Sequence, residues 1–180
     1  ILTHRRLFHS LLRAGKLGQK PVKKGNYLRH LPHFLLAKEH DFKALPALAP
    51  KAFRDQWPKL KTKVSHPRFK VGLLTGCLQD FVYPEQLVQA VDFLTQHGVE
   101  VDFAYEQGCC GLPLLMLGEK QAAGQVARHN IHAVDPNEVD FIITLCASCG
   151  SHLQENYPLL LDQTSGLQVK ARQFGHKIID

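Results

Sequence analysis

KVGLLTGC, residues 70–77, is a short apolar run that ends in glycine and is closed by a cysteine. A run of this length bounded by a turn signal reads as a buried strand. The period then changes. PEQLVQAVDFLTQHG, residues 84–98, carries Pro84 in its first turn, repeats Leu87, Val88, Val91 and Leu94 on one helical face, and stops at Gly98. VEVDFAY, residues 99–105, alternates as a second strand. GEKQAAGQVARHNIHAV, residues 118–134, is a helix with Ala122, Ala123, Val126 and Ala127 inward, and DFIITL, residues 140–145, is a third strand. CGSHLQENYPLLL, residues 149–161, predicts a helix ending near Pro158. GLQVKARQFGHKII, residues 166–179, puts Leu167, Ala171, Phe174 and Ile178 on one face of a last helix. Alternating strands and helices predict an α/β fold with a short parallel sheet and crossover helices.

The cysteines have an order on this pattern. Cys77 follows the first strand, Cys109 and Cys110 follow the second, and Cys146 and Cys149 follow the third. In a parallel sheet the carboxyl ends of the strands share one edge, and open α/β sheets bind ligands there. Three groups far apart in sequence should therefore converge. Five is an odd number, which argues against a fully paired disulfide framework. The same count favours a reducing compartment, where clustered thiols mean metal or redox chemistry.

Convergent thiolates select zinc, copper(I) or iron–sulfur clusters. Structural zinc takes four ligands, so zinc would leave one of the five cysteines over. A cluster has several irons, and adjacent Cys109 and Cys110 could serve neighbouring ones. Gly108 and Gly111 are expected to free the backbone around that pair. With Gly76 and Gly150 they also flank the cysteines with N–H groups able to bond cluster sulfurs. A thioredoxin-like dithiol at Cys146 and Cys149 would leave the other three cysteines unexplained.

Residues 1–68 differ from the rest. They hold no cysteine and much of the positive charge of a chain whose net charge is +6. ILTHRRLFHSLLRAGKLG predicts a helix with Ile1, Phe8, Leu11 and Leu12 on one face and Arg5, Arg6 and Arg13 on others. A second helix is expected in NYLRHLPHFLLAKEH, interrupted by Pro32. Residues 46–67, with four prolines and many lysines, read as a connector that wraps the main domain or reaches a partner. The division is a basic helical extension over 1–68 and a cysteine-rich domain over 69–180. Aromatic residues do not interleave with the basic ones as nucleic-acid stacking requires. No apolar run approaches the roughly 20 residues of a membrane span. Ile1 in place of an initiator methionine is expected of a fragment or a processed product.

The other polar candidates are weaker. His4, His9, His30, His33 and His40 read as surface or helix-packing residues. His152, three after Cys149, reads as a helix-surface residue that could face the cysteines. His129 and His132 could pair on a metal but show no third ligand. Asp80 and Glu106 read as solvated acids near the cysteines.

The spacing C-x31-CC-x35-C-x2-C, with glycine after the doubled cysteine, resembles the CCG, or cysteine-rich, domain family. That family includes the B subunit of heterodisulfide reductase, the C subunit of anaerobic glycerol-3-phosphate dehydrogenase, and the iron–sulfur subunits of glycolate oxidase and of lactate-utilisation dehydrogenases. The resemblance covers residues 70–180 and rests on LLTGCLQDFVYPE, QGCCGLP and ASCGSHLQENYPLLL. ALPALAPKAFRD and the last of these resemble the glycolate and lactate group most. It implies that Cys77, Cys109, Cys110, Cys146 and Cys149 hold a [4Fe–4S]-type centre, of cubane or non-cubane form, with zinc as the alternative. It implies electron transfer from a flavin-containing dehydrogenase subunit towards a quinone or other acceptor, within an oxidoreductase complex and not by this domain alone. The alternative activity is cleavage of a disulfide at the cluster; a zinc-stabilised interaction module is the other. Complete glycolate and lactate subunits carry ferredoxin-like repeats before this region and a second cysteine-rich domain after it. This sequence is accordingly expected to be a central piece of a longer subunit. A cytoplasmic location, at the inner face of the membrane where the complex meets its acceptor, goes with that reading.

Overall fold

The computed structural model describes residues 1–25, 27–28, 45–60, 62–161 and 166–180. Helix α1 spans Arg5–Gly18, and strands β1 (Lys23–Lys24), β2 (Tyr27–Leu28) and β3 (Leu45–Pro46) form a small antiparallel ladder in that order. Helix α2 (Phe53–Gln56) leads to β4 (Phe69–Leu73), α3 (Leu78–Phe81), α4 (Pro84–Gln96) and β5 (Val99–Asp102). Helices α5 (Leu112–Met116) and α6 (Lys120–Ala133) precede β6 (Phe141–Ile143). Helix α7 (Ala147–Ser151), a π-helical turn over His152–Asn156, and α8 (Tyr157–Leu160) follow one another directly. Helix α9 (Gly166–His176) and β7 (Ile178–Ile179) end the chain. The helix expected around Pro32, with His30, His33 and His40, lies outside the described residues.

The main sheet is parallel throughout, in the order β5-β4-β6-β7. The α/β expectation holds, and the topology positions the cysteines. From β4 the chain crosses to β5 on one side and then returns past β4 to β6 on the other. That reversal opens a crevice at the carboxyl ends of β4 and β6.

Side chains alternate across the sheet. Val71, Leu73, Val101 and Phe103 face Leu87 and Val91 of α4 and Phe53 of α2. Leu74 and Ile142 belong to the opposite cluster, with Ala127 and Ile131 of α6, Tyr157 of α8, and Ala171 and Phe174 of α9. Gly72 points to this second face. A Cβ there would lie 2.9 Å from Val134 Cγ1, with Val139 also in contact. Gly72→Ala is expected to destabilise by about 1–3 kcal/mol through overpacking. An unchanged urea midpoint would contradict that close approach.

Two expectations are corrected. Ile178 does not continue the last helix face; it pairs with Ile142, and Ile179 with Ile143, as a fourth parallel strand. Apolar spacing carried the helical reading past His176, whereas two β-branched residues beside the free edge of β6 gain ladder hydrogen bonds. The docked face of α1 is also only partly the expected one. Phe8 and Leu12 are half-buried and His9 is buried, but Ile1 and Leu11 are exposed. Phe8 packs against the core and the His9 ring lies 5.1 Å from that of Phe81, while carbonyls and a carboxylate hold the exposed margin of the helix. Arg5 Nη1 donates to Tyr105 O, Lys16 Nζ to Pro50 O, and Arg13 pairs with Asp55 at 2.7 Å. The segment before β4 is packed tightly. Phe53 is fully buried edge-on to Phe103, 5.4 Å between centroids, and Gln19 makes two hydrogen bonds with the Leu48 backbone.

Candidate metal centre

Each strand of the crevice hands its loop to a polar clamp before the cysteine appears. After β4, buried Thr75 donates its backbone N–H to Gln107 Oε1 at 2.7 Å, and Gln107 Nε2 donates to Leu73 O at 2.7 Å. Gln107 thus ties the exit of β4 to the loop that carries Cys109 and Cys110. Gly76 then takes a left-handed φ of 63°, and Cys77 opens α3. After β6, Gln79 Nε2 donates to Leu145 O at 2.9 Å, which fixes the turn into Cys146.

The doubled cysteine is held from below. Asn130 Oδ1 accepts from Gly108 N, and Asn130 Nδ2 donates to Cys109 O at 2.8 Å and to the Tyr157 hydroxyl at 2.9 Å. That hydroxyl donates to Cys110 O at 2.8 Å. Apart from half-buried Gly108, this clamp is inside the protein, where an unmade hydrogen bond is expensive. Tyr157→Phe removes one donor and leaves Cys110 O and an Asn130 proton unsatisfied. A loss of about 1–3 kcal/mol is expected, read by urea denaturation of the metal-free protein. A variant as stable as the parent would mean the clamp is idle. Asn130, Gln107 and Tyr157 were not foreseen. They are ordinary polar residues in strand-loop and helix positions, and only their burial gives them a role.

The five thiols meet. Cys77 Sγ lies 3.7 Å from Cys109 Sγ, and Cys110 Sγ lies 3.2 Å from Cys149 Sγ. Cys109 and Cys110 are neighbours in sequence, which brings the two pairs together, and Cys146 lies close enough to Cys149 to affect its ionisation. Cys109, Cys110 and Cys149 are buried, Cys77 and Cys146 are half-buried, and none forms a disulfide. The charge is uneven among them. Hydrogen bonds from Cys110 and Cys77, helped by Gly111 N–H, bring the Cys109 thiol down to about 3. Cys110 likewise brings Cys149 down to about 7. Cys77 and Cys110, each bonded first to Cys109, are pushed up. Among the described residues, no group of three or more His, Cys, Asp or Glu side chains is arranged to hold a single metal ion.

The glycines divide. Gly76 and Gly111 have positive φ, 63° and 92°, where a side chain would be strained. A Cβ on Gly76 would also sit 3.5 Å from Cys149 Sγ. Gly108 does not take a left-handed conformation, and its N–H is engaged by Asn130. Gly150 N–H is engaged by Cys146 O within the first helical turn. Two of the four expected backbone donors are therefore already committed.

Asp80 is not a solvated acid. It is fully buried, its Oδ2 is 2.6 Å from Arg54 Nε, and its Oδ1 accepts from Arg54 N. Burial pushes its carboxyl up, and the Arg54 guanidinium opposes that shift. Arg54 also donates to Tyr105 O and Gln107 O, four and two residues before Cys109. Glu106 is exposed, as expected. His129 and His132 are exposed too; His129 Nε2 donates to Glu106 O. His152 is buried and not on the helix surface, at 1% exposure. The π-helical turn that starts at His152 rotates it inward, edge-on to Tyr157 with centroids 5.3 Å apart.

Residues 71–154, the stretch that contains all five cysteines, match the family model described as the cysteine-rich domain, CCG. This part of the chain is similar to the cysteine-rich CCG domains. The chain is also similar to a probable glycolate oxidase iron–sulfur subunit of Bacillus subtilis, 28% identical over 162 residues, covering 90% of this chain and 36% of that protein. The B subunit of the fumarate reductase (CoM/CoB) of Methanothermobacter marburgensis is 36% identical over 93 residues, 52% of this chain and 19% of that protein. An uncharacterized iron–sulfur protein of Methanocaldococcus jannaschii is 36% identical over 90 residues, 50% of this chain and 18% of that protein. The chain thus spans well under half the length of these relatives. No solved structure matches it. Among the described residues no helix is long and apolar enough to cross a membrane.

Proposed function

We propose that residues 71–154 form a CCG domain that binds an iron–sulfur cluster through Cys77, Cys109, Cys110, Cys146 and Cys149, and serves electron transfer in an oxidoreductase complex. The observation that carries this reading is the convergence of the cysteines at the carboxyl ends of β4, β5 and β6, with Cys77 against Cys109 and Cys110 against Cys149. The donor set fits such a group. It is all sulfur, it exceeds the four ligands of a structural zinc, and two of its members are adjacent in sequence, as ligands of neighbouring irons can be. The relatives' names agree, each being an iron–sulfur protein or a reductase subunit.

A bound cluster would supply one-electron chemistry. The protein's own residues hold and shield the site. Leu74, Ile131, Leu153 and Tyr157 pack beneath the buried cysteines and keep water from them. Cys77 and Cys146 lie towards solvent, on the side from which electrons can enter. The [4Fe–4S] form, the flavin-containing dehydrogenase partner, the quinone or other acceptor, and a cytoplasmic site beside the membrane all belong to this proposal. They follow the glycolate-oxidase likeness over 90% of the chain.

Iron, acid-labile sulfide and zinc per chain, determined on protein purified without oxygen, test it. Several irons with matching sulfide are expected. One zinc without sulfide would replace the proposal with a structural zinc site.

A further inference from the structure

His152 has an unusual position for a polar side chain. It is 1% exposed, and neither ring nitrogen has a hydrogen-bond partner. The Cys110 carbonyl is near, but without hydrogen-bond geometry, and the Cys109 sulfur is near enough for their charges to interact. The ring starts a π-helical turn one helical turn after Cys149, and such turns recur at functional sites. A buried imidazole must carry at least one N–H. Leaving that donor unmade is unfavourable, so a partner is missing from the protein's own atoms. The nearest chemistry that would accept it is the sulfur-rich centre beside it.

We propose that His152 donates a ring N–H to a sulfur of the cluster held by Cys109 and Cys110, and so raises its midpoint potential. Reduction adds negative charge to the cluster, and a donor aimed at its sulfur stabilises the reduced form more than the oxidised one. His152 is in this sense a positioning residue, not a ligand. The inference rests on the cluster reading above.

The test compares the reconstituted chain with His152→Leu and His152→Met, which lack a donor, and with His152→Gln, which keeps one. Iron and sulfide per chain are measured first, then the midpoint by an optical redox titration. All four proteins are expected to hold equal iron. Leu and Met should shift the midpoint to more negative potential, and Gln should recover part of the shift. Before reconstitution, the better folded of the Leu and Met variants should melt no lower than the parent, because the unpartnered imidazole is gone. Equal midpoints at equal iron would overturn the inference alone. Loss of iron from a variant that still folds would make His152 a ligand and also overturn it. A parent chain that takes up no iron would overturn the cluster reading itself.

Discussion

Cys110→Ser is expected to abolish cluster binding, leaving the anaerobically purified protein with essentially no iron or sulfide. Cys110 is central: it follows Cys109 directly in sequence, and its thiol lies 3.2 Å from that of Cys149. A serine hydroxyl is a hard, poorly ionised donor where a soft thiolate is needed. Cys110 is buried, so an outside ligand has little access to its place. Cys109→Ser should act alike, since Cys109 is buried and its sulfur lies 3.7 Å from that of Cys77. Cys146→Ser lies at the half-buried margin of the site and should lower the iron least. The metal-free Cys110→Ser protein should still fold, because a hydroxyl keeps a hydrogen bond to Cys149 and the clamp by Asn130 and Tyr157 acts on backbone atoms. Full iron and sulfide in both the Cys109 and Cys110 variants would sink the ligand assignment.

Arg54→Met should be the most destabilising change away from the cysteines, at about 3–5 kcal/mol. Arg54 is 5% exposed and Asp80 is 0% exposed. Removing the guanidinium strands a carboxylate that burial already disfavours. It also frees the Tyr105 and Gln107 carbonyls that shape the approach to Cys109. Asp80→Asn should be milder, because Arg54 keeps those two carbonyl acceptors. The double variant Arg54→Met with Asp80→Leu should lose less than the sum of its parts, since no buried charge is left unpaired. Urea unfolding of the four proteins reads this directly. Changes within about 0.5 kcal/mol for all variants would place the pair among surface-like contacts. Arg54 and Asp80 sit 26 residues apart, so the pair also fastens the segment before β4 to α3, which follows Cys77.

The parallel sheet and its helices were legible because their periods are strong. Residues 70–76 and 84–98 switch from a continuous apolar run to a repeat of three and four, and Gly98 marks the stop. The three-site cysteine pattern was legible for a related reason. Strand ends are fixed by the hydrophobic pattern, and a parallel sheet has only one edge on which those ends can lie. The paired strand Ile178–Ile179 was not legible, since two apolar residues carry no period of their own.

The polar residues divide along the same line. Glu106 and the exposed pair His129 and His132 behave as isolated surface groups, which composition alone anticipates. Asp80 and His152 do not. What sets their state is burial, and burial depends on which segment of a distant part of the chain arrives opposite them. Arg54 reaches Asp80 from the Pro-rich stretch, and a π-helical turn swings His152 inward by one step of register. By itself the sequence determined an α/β sheet with five thiols delivered to one edge, because strand order and side-chain period are local properties. Only the tertiary structure decided which thiols touch, which acid is paired and which histidine is left without a partner, because those depend on distances of a few ångströms between residues the chain holds far apart.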